Sequence, residues 1–315
     1  AALRRTLAAL KEGEIVSRPN QGLPQKEKSA VKTAGNWLDE GIKLASQSRF
    51  NEAVEAFTQA LKLDSGLSAA YALRGRALFA SVSYVTGMGE NFSGVSTLST
   101  GGAVVSGEKK AVYDRAIADF TQALRLDPNN AEVYRERGNA YSDKGDYDHA
   151  IADYNQALRL DPDNDAAYNS RGGAYSDKGD YDRAIADYNE ALWLDPNNAA
   201  VYYNRGNAYS DKGDYDRAIA DYTQALRLDP NDAVTYRGRG AAYGKKGDND
   251  RAIADFTQAL RLDPNDAAAY YNRGLAYRKK GDYDRARTDW QKALQLDPND
   301  ANARKNLEVL RDMGY

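Results

Sequence analysis

Apolar and polar positions along most of this chain repeat with the period of amphipathic helices. Residues 166–178 carry apolar or small side chains at helical spacing, at Tyr168, Gly172 and Tyr175. Residues 181–194 carry a second stripe with i, i+4 and i+7 spacing, formed by Ala184, Ile185, Tyr188, Ala191 and Leu192. Between the two segments, Gly179 suits a left-handed helix end and Asp180 suits the cap of a new helix. The pattern therefore predicts two helices joined by a tight turn.

The same unit recurs along the chain. An Arg-Gly dipeptide marks it at Arg74-Gly75, Arg137-Gly138, Arg171-Gly172, Arg205-Gly206, Arg239-Gly240 and Arg273-Gly274. The last five dipeptides are each 34 residues apart, and the first gap is longer by 29 residues. Counted this way, residues 34–300 hold seven repeats with an insertion inside the second. A single helix pair cannot bury its apolar stripe, so we expect the repeats to stack into an all-α solenoid.

Seven positions of each unit resemble the signature of the tetratricopeptide repeat, spacing included. In the fourth repeat they are Tyr168, Gly172, Tyr175, Ala184, Tyr188, Ala191 and Pro196. The resemblance covers residues 34–300 apart from the insertion, and the sequence is similar to bacterial members of the family. It implies a right-handed superhelix of antiparallel helix pairs. The first helices would line a concave groove that holds a peptide or an extended segment of a partner protein.

Three parts of the chain lie outside the regular repeats. We interpret residues 1–33 as an N-terminal cap helix and linker, and residues 301–315 as a C-terminal capping helix. The insertion, at about residues 81–110, is rich in Gly, Ser and Thr but also carries apolar residues. Gly101-Gly102 lies between two β-prone runs, which predicts a non-helical or hairpin-like segment, with a mobile loop as the alternative. We expect this segment to contact the groove or another subunit.

Composition argues against several classes of site. The net charge of −3 leaves no basic stripe of the kind that nucleic-acid binding needs. The sequence has no cysteine, and its one histidine, His149, stands where other repeats carry arginine. No catalytic, metal or cofactor motif is recognisable, which predicts a protein that is not an enzyme. No apolar run is long enough to span a membrane. We expect a soluble protein of the cytoplasm, or of the periplasm if a signal peptide has been removed.

The arginine of each Arg-Gly dipeptide stands where many members of the family carry leucine. A partly buried cation needs a partner. Each second helix offers an aspartate for this purpose: Asp119, Asp153, Asp187, Asp221, Asp255 and Asp289. We therefore expect a structural ladder of Arg–Asp pairs rather than a row of ligand-binding arginines.

The resemblance also implies which side chains face the groove. The candidate peptide contacts are Arg135, Asn139, Asn169, Tyr203, Asn204, Asn207, Arg237, Lys245, Tyr271, Asn272, Arg278 and Lys279. Repeats three to five lean acidic, through Glu132, Glu136, Asp143, Asp177 and Asp211, whereas repeats six and seven are basic. This order predicts that an acidic ligand segment lies against the basic repeats. A solvated helix face with a chance mixture of charges is the alternative.

The leading hypothesis is a non-enzymatic scaffold that binds a protein or peptide in the groove. One alternative is a structural protein that self-assembles into a homo-oligomer through the insertion or the repeat ends. Another is a regulatory array that belongs to a larger protein. Trp193 is a candidate outer contact, because its equivalents are Arg159, Arg227 and Arg261 on a helix face expected to be exposed. A single exposed aromatic residue is often without function.

Overall fold

The computed structural model describes residues 32–85 and 107–315, which form fifteen helices and no β-strand. Seven antiparallel pairs, α1–α2 to α13–α14, precede the single helix α15. Their bounds are α1 Ala34–Ser46, α2 Phe50–Leu63, α3 Ser68–Val85, α4 Gly107–Leu126, α5 Ala131–Asp143, α6 Tyr147–Leu160, α7 Asp165–Asp177, α8 Tyr181–Leu194, α9 Ala199–Asp211, α10 Tyr215–Leu228, α11 Ala233–Lys246, α12 Asn249–Leu262, α13 Ala267–Lys279, α14 Tyr283–Leu296 and α15 Ala301–Asp312. The predicted all-α solenoid is confirmed.

The turn inside each of pairs three to seven has the predicted chemistry. Gly179 has a φ of +79°, in the left-handed region that favours glycine. The carboxylate of Asp180 then accepts a hydrogen bond from the backbone N–H of Arg183 at 3.2 Å. This bond caps α8, because the first N–H groups of a helix have no partner within it.

A large ring packs against a glycine in every pair. A Cβ atom placed on Gly172 would lie 2.7 Å from Cε1 of Tyr188, which is too close for any side chain. The seven rings are Phe57, Phe120, Tyr154, Tyr188, Tyr222, Phe256 and Trp290. This glycine, which belongs to the Arg-Gly dipeptide in pairs two to seven, therefore sets how closely the two helices of a pair approach.

The predicted Arg–Asp ladder is confirmed. Arg205 donates from Nε to Oδ2 of Asp221 at 2.8 Å and from Nη2 to Oδ1 at 2.7 Å. Its Nη1 donates to Oδ1 of Asn189, on the second helix of the preceding pair, at 2.6 Å. The equivalent pairs are Arg74–Asp119, Arg137–Asp153, Arg171–Asp187, Arg239–Asp255 and Arg273–Asp289. Each arginine thus ties three helices together.

The first helices lie on the inner side of the stack. Each one packs on its own partner and also contacts the first helix of the next pair. The second helices of neighbouring pairs do not approach each other as closely. A stack whose first helices are closer together curves toward them. The side of the first helices that faces away from the second helices therefore forms the concave face.

The insertion is helical at both ends. Helix α3 continues to Val85 and α4 begins at Gly107, so the prediction of non-helical structure is wrong for residues 81–85 and 107–110. Val82, in the extension of α3, is buried, and the rings of Phe79 and Tyr113 lie 5.8 Å apart just outside the insertion. The hairpin signal at Gly101-Gly102 and the cap helix within residues 1–31 lie outside the described residues.

Candidate functional site

Two of the predicted groove asparagines accept hydrogen bonds from buried tyrosines. The hydroxyl of Tyr222 donates to Oδ1 of Asn207 at 2.7 Å, and that of Tyr154 donates to Oδ1 of Asn139 at 2.8 Å. Burial raises the pKa of both tyrosines well above the ordinary value, so both hydroxyls remain donors. Asn139 and Asn207 therefore have a structural role in addition to the predicted contact with a ligand.

Three further candidate contacts meet in the floor of the concave face. Asn204 donates from Nδ2 to Oδ1 of Asn169 at 3.0 Å, which joins α9 to α7. Both asparagines are only 5% exposed. Tyr203 is also buried, with its ring centroid 5.9 Å from that of Tyr222. All three are predicted groove contacts, but little of each side chain reaches the surface.

The basic end of the predicted groove is less basic than the sequence indicates. Arg237 donates from Nη1 to both carboxylate oxygens of Asp266, at 2.9 and 3.0 Å, and Asp266 caps α13. Arg237 is therefore neutralised by an acidic cap that stands where Asn198 caps α9.

Helix α15 engages two other candidates from the same end. Arg278 donates from Nη1 to Oδ1 of Asn306 at 3.4 Å, and Asn306 donates from Nδ2 to the hydroxyl of Tyr271 at 3.3 Å. Asn272 lies half-buried on α13 beside them. Arg278 and Tyr271 thus join the last repeat to the C-terminal helix.

The acidic end contains an arginine that the sequence analysis missed. Nη2 of Arg76, on α3, lies 2.6 Å from Oε1 of Glu136 and 3.3 Å from Oε1 of Glu132. Burial raises the pKa of Glu136, and the charge of Arg76 opposes that rise. Arg76 follows the Gly75 marker directly, in the same register as Asn139 and Asn207, so counting along the repeat would have placed it on the concave face.

The last turns of five first helices each carry one charged residue in the same register. We call Asp143, Asp177, Asp211, Lys245 and Lys279 the last-turn row; each belongs to one of repeats three to seven, and all five are exposed. Nζ of Lys279 donates to the carbonyl of Gly244 at 3.1 Å, so its ammonium reaches back to the last turn of the preceding first helix.

The acidic members of the row influence each other. The pKa of Asp143 is raised to about 6. Desolvation by the surrounding protein is the larger cause, and the charge of Asp177 is the second. Burial also raises the pKa of Asp211.

Most repeated charges away from the concave face are paired. Lys144 lies 2.5 Å from Asp114, and the same pair recurs between successive repeats as Lys178–Asp148, Lys212–Asp182, Lys246–Asp216 and Lys280–Asp250. By contrast, Asp143, Asp211 and Lys245 have no hydrogen bond or ion pair from their side chains within residues 32–85 and 107–315. Lys245 and Lys246 are neighbours in sequence, but only Lys246 is ion-paired among the described residues, with Asp216.

The remaining sequence candidates lie elsewhere. Trp193 is 77% exposed on α8, where the second helix faces away from the first helices. His149 is exposed, its Nδ1 lies 2.9 Å from Asp146, and its ring stacks on Tyr141 at 5.1 Å, which confirms that it is a surface helix residue. Over the described part of the chain, no three His, Asp or Glu residues are grouped to hold a metal ion. No helix there combines the length and apolar character needed to cross a membrane.

The arrangement is similar to several solved structures. YrrB, described as a TPR protein with an unusual peptide-binding site, is 27% identical over 59% of this chain and 96% of its own, with a TM-score of 0.50. A tetratricopeptide repeat protein from Parabacteroides merdae is 20% identical over 88% of this chain and 98% of its own, with a TM-score of 0.61. The C-terminal part of a TPR repeat-containing protein from Cytophaga hutchinsonii is 19% identical over 86% and 99%, with a TM-score of 0.59. The last two show a likeness of fold alone.

Comparison with curated proteins gives no match. Family patterns match most of the chain. Those described as "Tetratricopeptide repeat" match residues 38–84, 199–232 and 237–301, and the one described as "TPR repeat" matches residues 112–145, 138–179 and 172–213. With the helix pairs, their glycine–ring packing and these matches together, the chain belongs to the tetratricopeptide repeat family.

Proposed function

We propose that the concave face binds an extended peptide or a segment of a partner protein, and that the chain is a scaffold rather than an enzyme. One observation carries this proposal. The lysines and arginines of the turns and of the Arg–Asp ladder are paired with aspartates, whereas Asp143, Asp211 and Lys245 on the first helices have no partner among the described residues. Unpaired charges of both signs on one curved surface suit complementary contact with another chain.

A second observation supports the same class of function. YrrB shares 27% identity and the helical array with this chain, and it is described as having a peptide-binding site. No nucleic acid is expected as a partner, since the net charge is −3 and the lysines that repeat in the turns, such as Lys178 and Lys212, are paired with aspartates.

A matched pair of substitutions tests the proposal. Ala241 is half-buried on α11, in the same register as Arg76 on α3, so Ala241→Arg places in the groove a residue that another repeat already accommodates there. Ala186 is exposed on the second helix α8, so Ala186→Arg makes the same chemical change on the outer side. Peptides selected on the native chain from a random display library should bind Ala241→Arg more weakly and Ala186→Arg unchanged. Equal binding to both variants would contradict the proposal.

Self-assembly through the outer face is the second candidate function. The 77% exposure of Trp193 favours it, because tryptophan is enriched at contact sites between proteins. Sedimentation equilibrium over a range of protein concentrations measures the mass directly. A concentration-independent monomer mass would exclude this candidate.

A further inference from the structure

We propose that the last-turn row makes the groove select ligands by the order of their charges. A basic block of the bound segment lies against Asp143, Asp177 and Asp211, and an acidic block lies against Lys245 and Lys279. This inference rests on the proposed function and names the chemistry of the segment that the groove binds.

The register of the row places it on the concave face. Asp143 is four residues after Asn139, and Asp211 is four residues after Asn207, so each aspartate lies one turn further along the same helix face. Those two asparagines are fixed on that face by their bonds to Tyr154 and Tyr222. Burial is the main cause of the raised pKa of both tyrosines. The charge of Asp143 raises the pKa of Tyr154 further, and that of Asp211 raises the pKa of Tyr222 further, so each aspartate lies near the tyrosine of its own repeat.

Members of the row are neighbours across repeats. Asp177 contributes to the raised pKa of Asp143, and Lys279 hydrogen-bonds to Gly244, the residue before Lys245. The row is thus a sequence of charges on adjacent helices, with three carboxylates followed by two ammonium groups. An extended segment lying across the first helices meets these charges in that order.

Most of the other charges of the concave face cancel locally, whereas Arg278, which hydrogen-bonds to the neutral Asn306, adds to the basic end. Arg76 lies 2.6 Å from Glu136 and 3.3 Å from Glu132, and Arg135 lies 4.0 Å from Glu132, so two arginines balance two glutamates. Asp266 neutralises Arg237 at 2.9 Å. Such internal pairs present little net field to a ligand, so the signs that a bound segment senses are set mainly by the last-turn row.

The two ends of the row are poised for different partners. Asp143 has no ion-pair partner among the described residues and is repelled by Asp177, so a lysine or arginine of the ligand would relieve that repulsion. At the other end Lys245 has no partner among the described residues, while the adjacent Lys246 is paired with Asp216. A carboxylate of the ligand would supply Lys245 with an ion-pair partner.

Two synthetic peptides of identical composition test the inference. In the block peptide, all lysines lie in one half and all glutamates in the other; in the alternating peptide, lysine and glutamate alternate. A block peptide can meet the row whichever way its backbone runs, whereas the alternating peptide cannot. Fluorescence anisotropy at low salt, where screening is weakest, should show about tenfold tighter binding of the block peptide, a difference of about 1.4 kcal/mol.

Neighbouring lysines provide the control. Lys245→Gln with Lys279→Gln should remove most of the preference for the block peptide. Lys246→Gln with Lys280→Gln removes the same charge from residues that are paired with Asp216 and Asp250, and should retain the preference. Circular dichroism melting of both variants confirms that the array is folded.

The result that overturns the inference is equal affinity for the two peptides, no measurable binding of the block peptide, or the same loss in both lysine variants. This failure is distinct from failure of the proposed function. If library peptides without charge blocks bind the native chain and bind Ala241→Arg more weakly, the groove is a binding site but the order of charges does not determine its ligands.

Discussion

The hydroxyl of Tyr222 lies 2.7 Å from Oδ1 of Asn207, and in repeat six both partners of this hydrogen bond are replaced. There Phe256 replaces the tyrosine and Ala241 replaces the asparagine. A phenyl ring needs no acceptor, so repeat six shows that the array accepts the two positions changed together.

This paired replacement predicts a non-additive pair of substitutions. Asn207→Ala should lower the free energy of unfolding by about 1–3 kcal/mol, because it leaves the buried Tyr222 hydroxyl without an acceptor. Adding Tyr222→Phe should recover part of that loss, since it recreates the pair found in repeat six. Urea denaturation of the two single variants and the double variant measures the coupling. Strictly additive losses of stability would show that the hydrogen bond between Tyr222 and Asn207 does not couple the two positions.

The Arg–Asp ladder predicts a larger effect. Arg205→Leu should destabilise the array by about 3–5 kcal/mol, because it leaves the carboxylate of Asp221 buried without its partner. Arg205→Leu combined with Asp221→Leu should be less destabilised than Arg205→Leu alone. Thermal melting followed by circular dichroism compares the three proteins. A double variant less stable than Arg205→Leu would indicate that the pair adds net stability beyond mutual neutralisation.

The sequence predicts these structural features because each is repeated. Gly172 facing Tyr188, Asp180 capping α8 and Arg171 bound to Asp187 all lie at fixed spacings that recur from unit to unit. A repeated spacing distinguishes a structural requirement from chance, so the fold and its ladder could be derived without coordinates.

The charge pattern of the concave face could be predicted only in part. The Arg76–Glu136 pair joins residues that are separated by the insertion, and Arg76 occurs once in that register. The Arg237–Asp266 pair depends on an aspartate cap, although asparagine serves equally well as a cap in Asn198. Pairs that occur once, between different repeats, leave no periodic signal, and they determine which groove charges remain.

Repeat six should be the least stable part of the array. Gly238 and Gly244 both lie inside α11, and Oδ1 of Asn249 is buried without a hydrogen bond, where Tyr215 and Tyr181 occupy the equivalent position. Amide hydrogen exchange should therefore be faster in residues 234–246 than in residues 201–212. Equal protection of the two helices would contradict this prediction.

The two glycines of α11 should respond differently to alanine. A Cβ at Gly244 would meet its nearest neighbour, Cβ of Ala252, at 3.8 Å, an ordinary contact. Gly244→Ala should thus stabilise the array by up to about 1 kcal/mol. A Cβ at Gly238 would lie 3.3 Å from the ring of Tyr222, so Gly238→Ala should gain less or lose stability. Melting temperatures of the two variants decide the order.

Removing the charge of Asp143 should change how stability depends on pH. Its pKa in the folded protein, about 6, lies above the ordinary value of 3.8, so the folded state holds this proton more tightly than the unfolded state. The stability contributed by Asp143 therefore falls as pH rises from about 4 to about 6. Asp143→Asn should be more stable than the native chain above pH 6, and the difference should vanish toward pH 4.

An aspartate with the opposite shift provides the control. The side-chain hydrogen bond from Arg183 lowers the pKa of Asp180, so its carboxylate contributes stability above its ordinary pKa that is lost in acid. Asp180→Asn should thus be less stable than the native chain at neutral pH. Melting curves at pH 4.5 and 7.5 compare the two variants. If both shift in the same direction at pH 7.5, the environment assigned to Asp143 is wrong.

Replacing the exposed tryptophan should leave the fold intact. Trp193 is 77% exposed, and Arg159, Arg227 and Arg261 occupy the equivalent position on the other second helices, so Trp193→Arg installs a side chain that the array already accepts. The melting temperature should change little, because surface substitutions away from packed or charged contacts alter stability by about 0.5 kcal/mol or less. Sedimentation velocity of the two proteins then isolates the role of the ring. A mass that falls in the variant assigns Trp193 to contact between copies, whereas an unchanged mass with unchanged peptide binding leaves it as a surface residue without a partner.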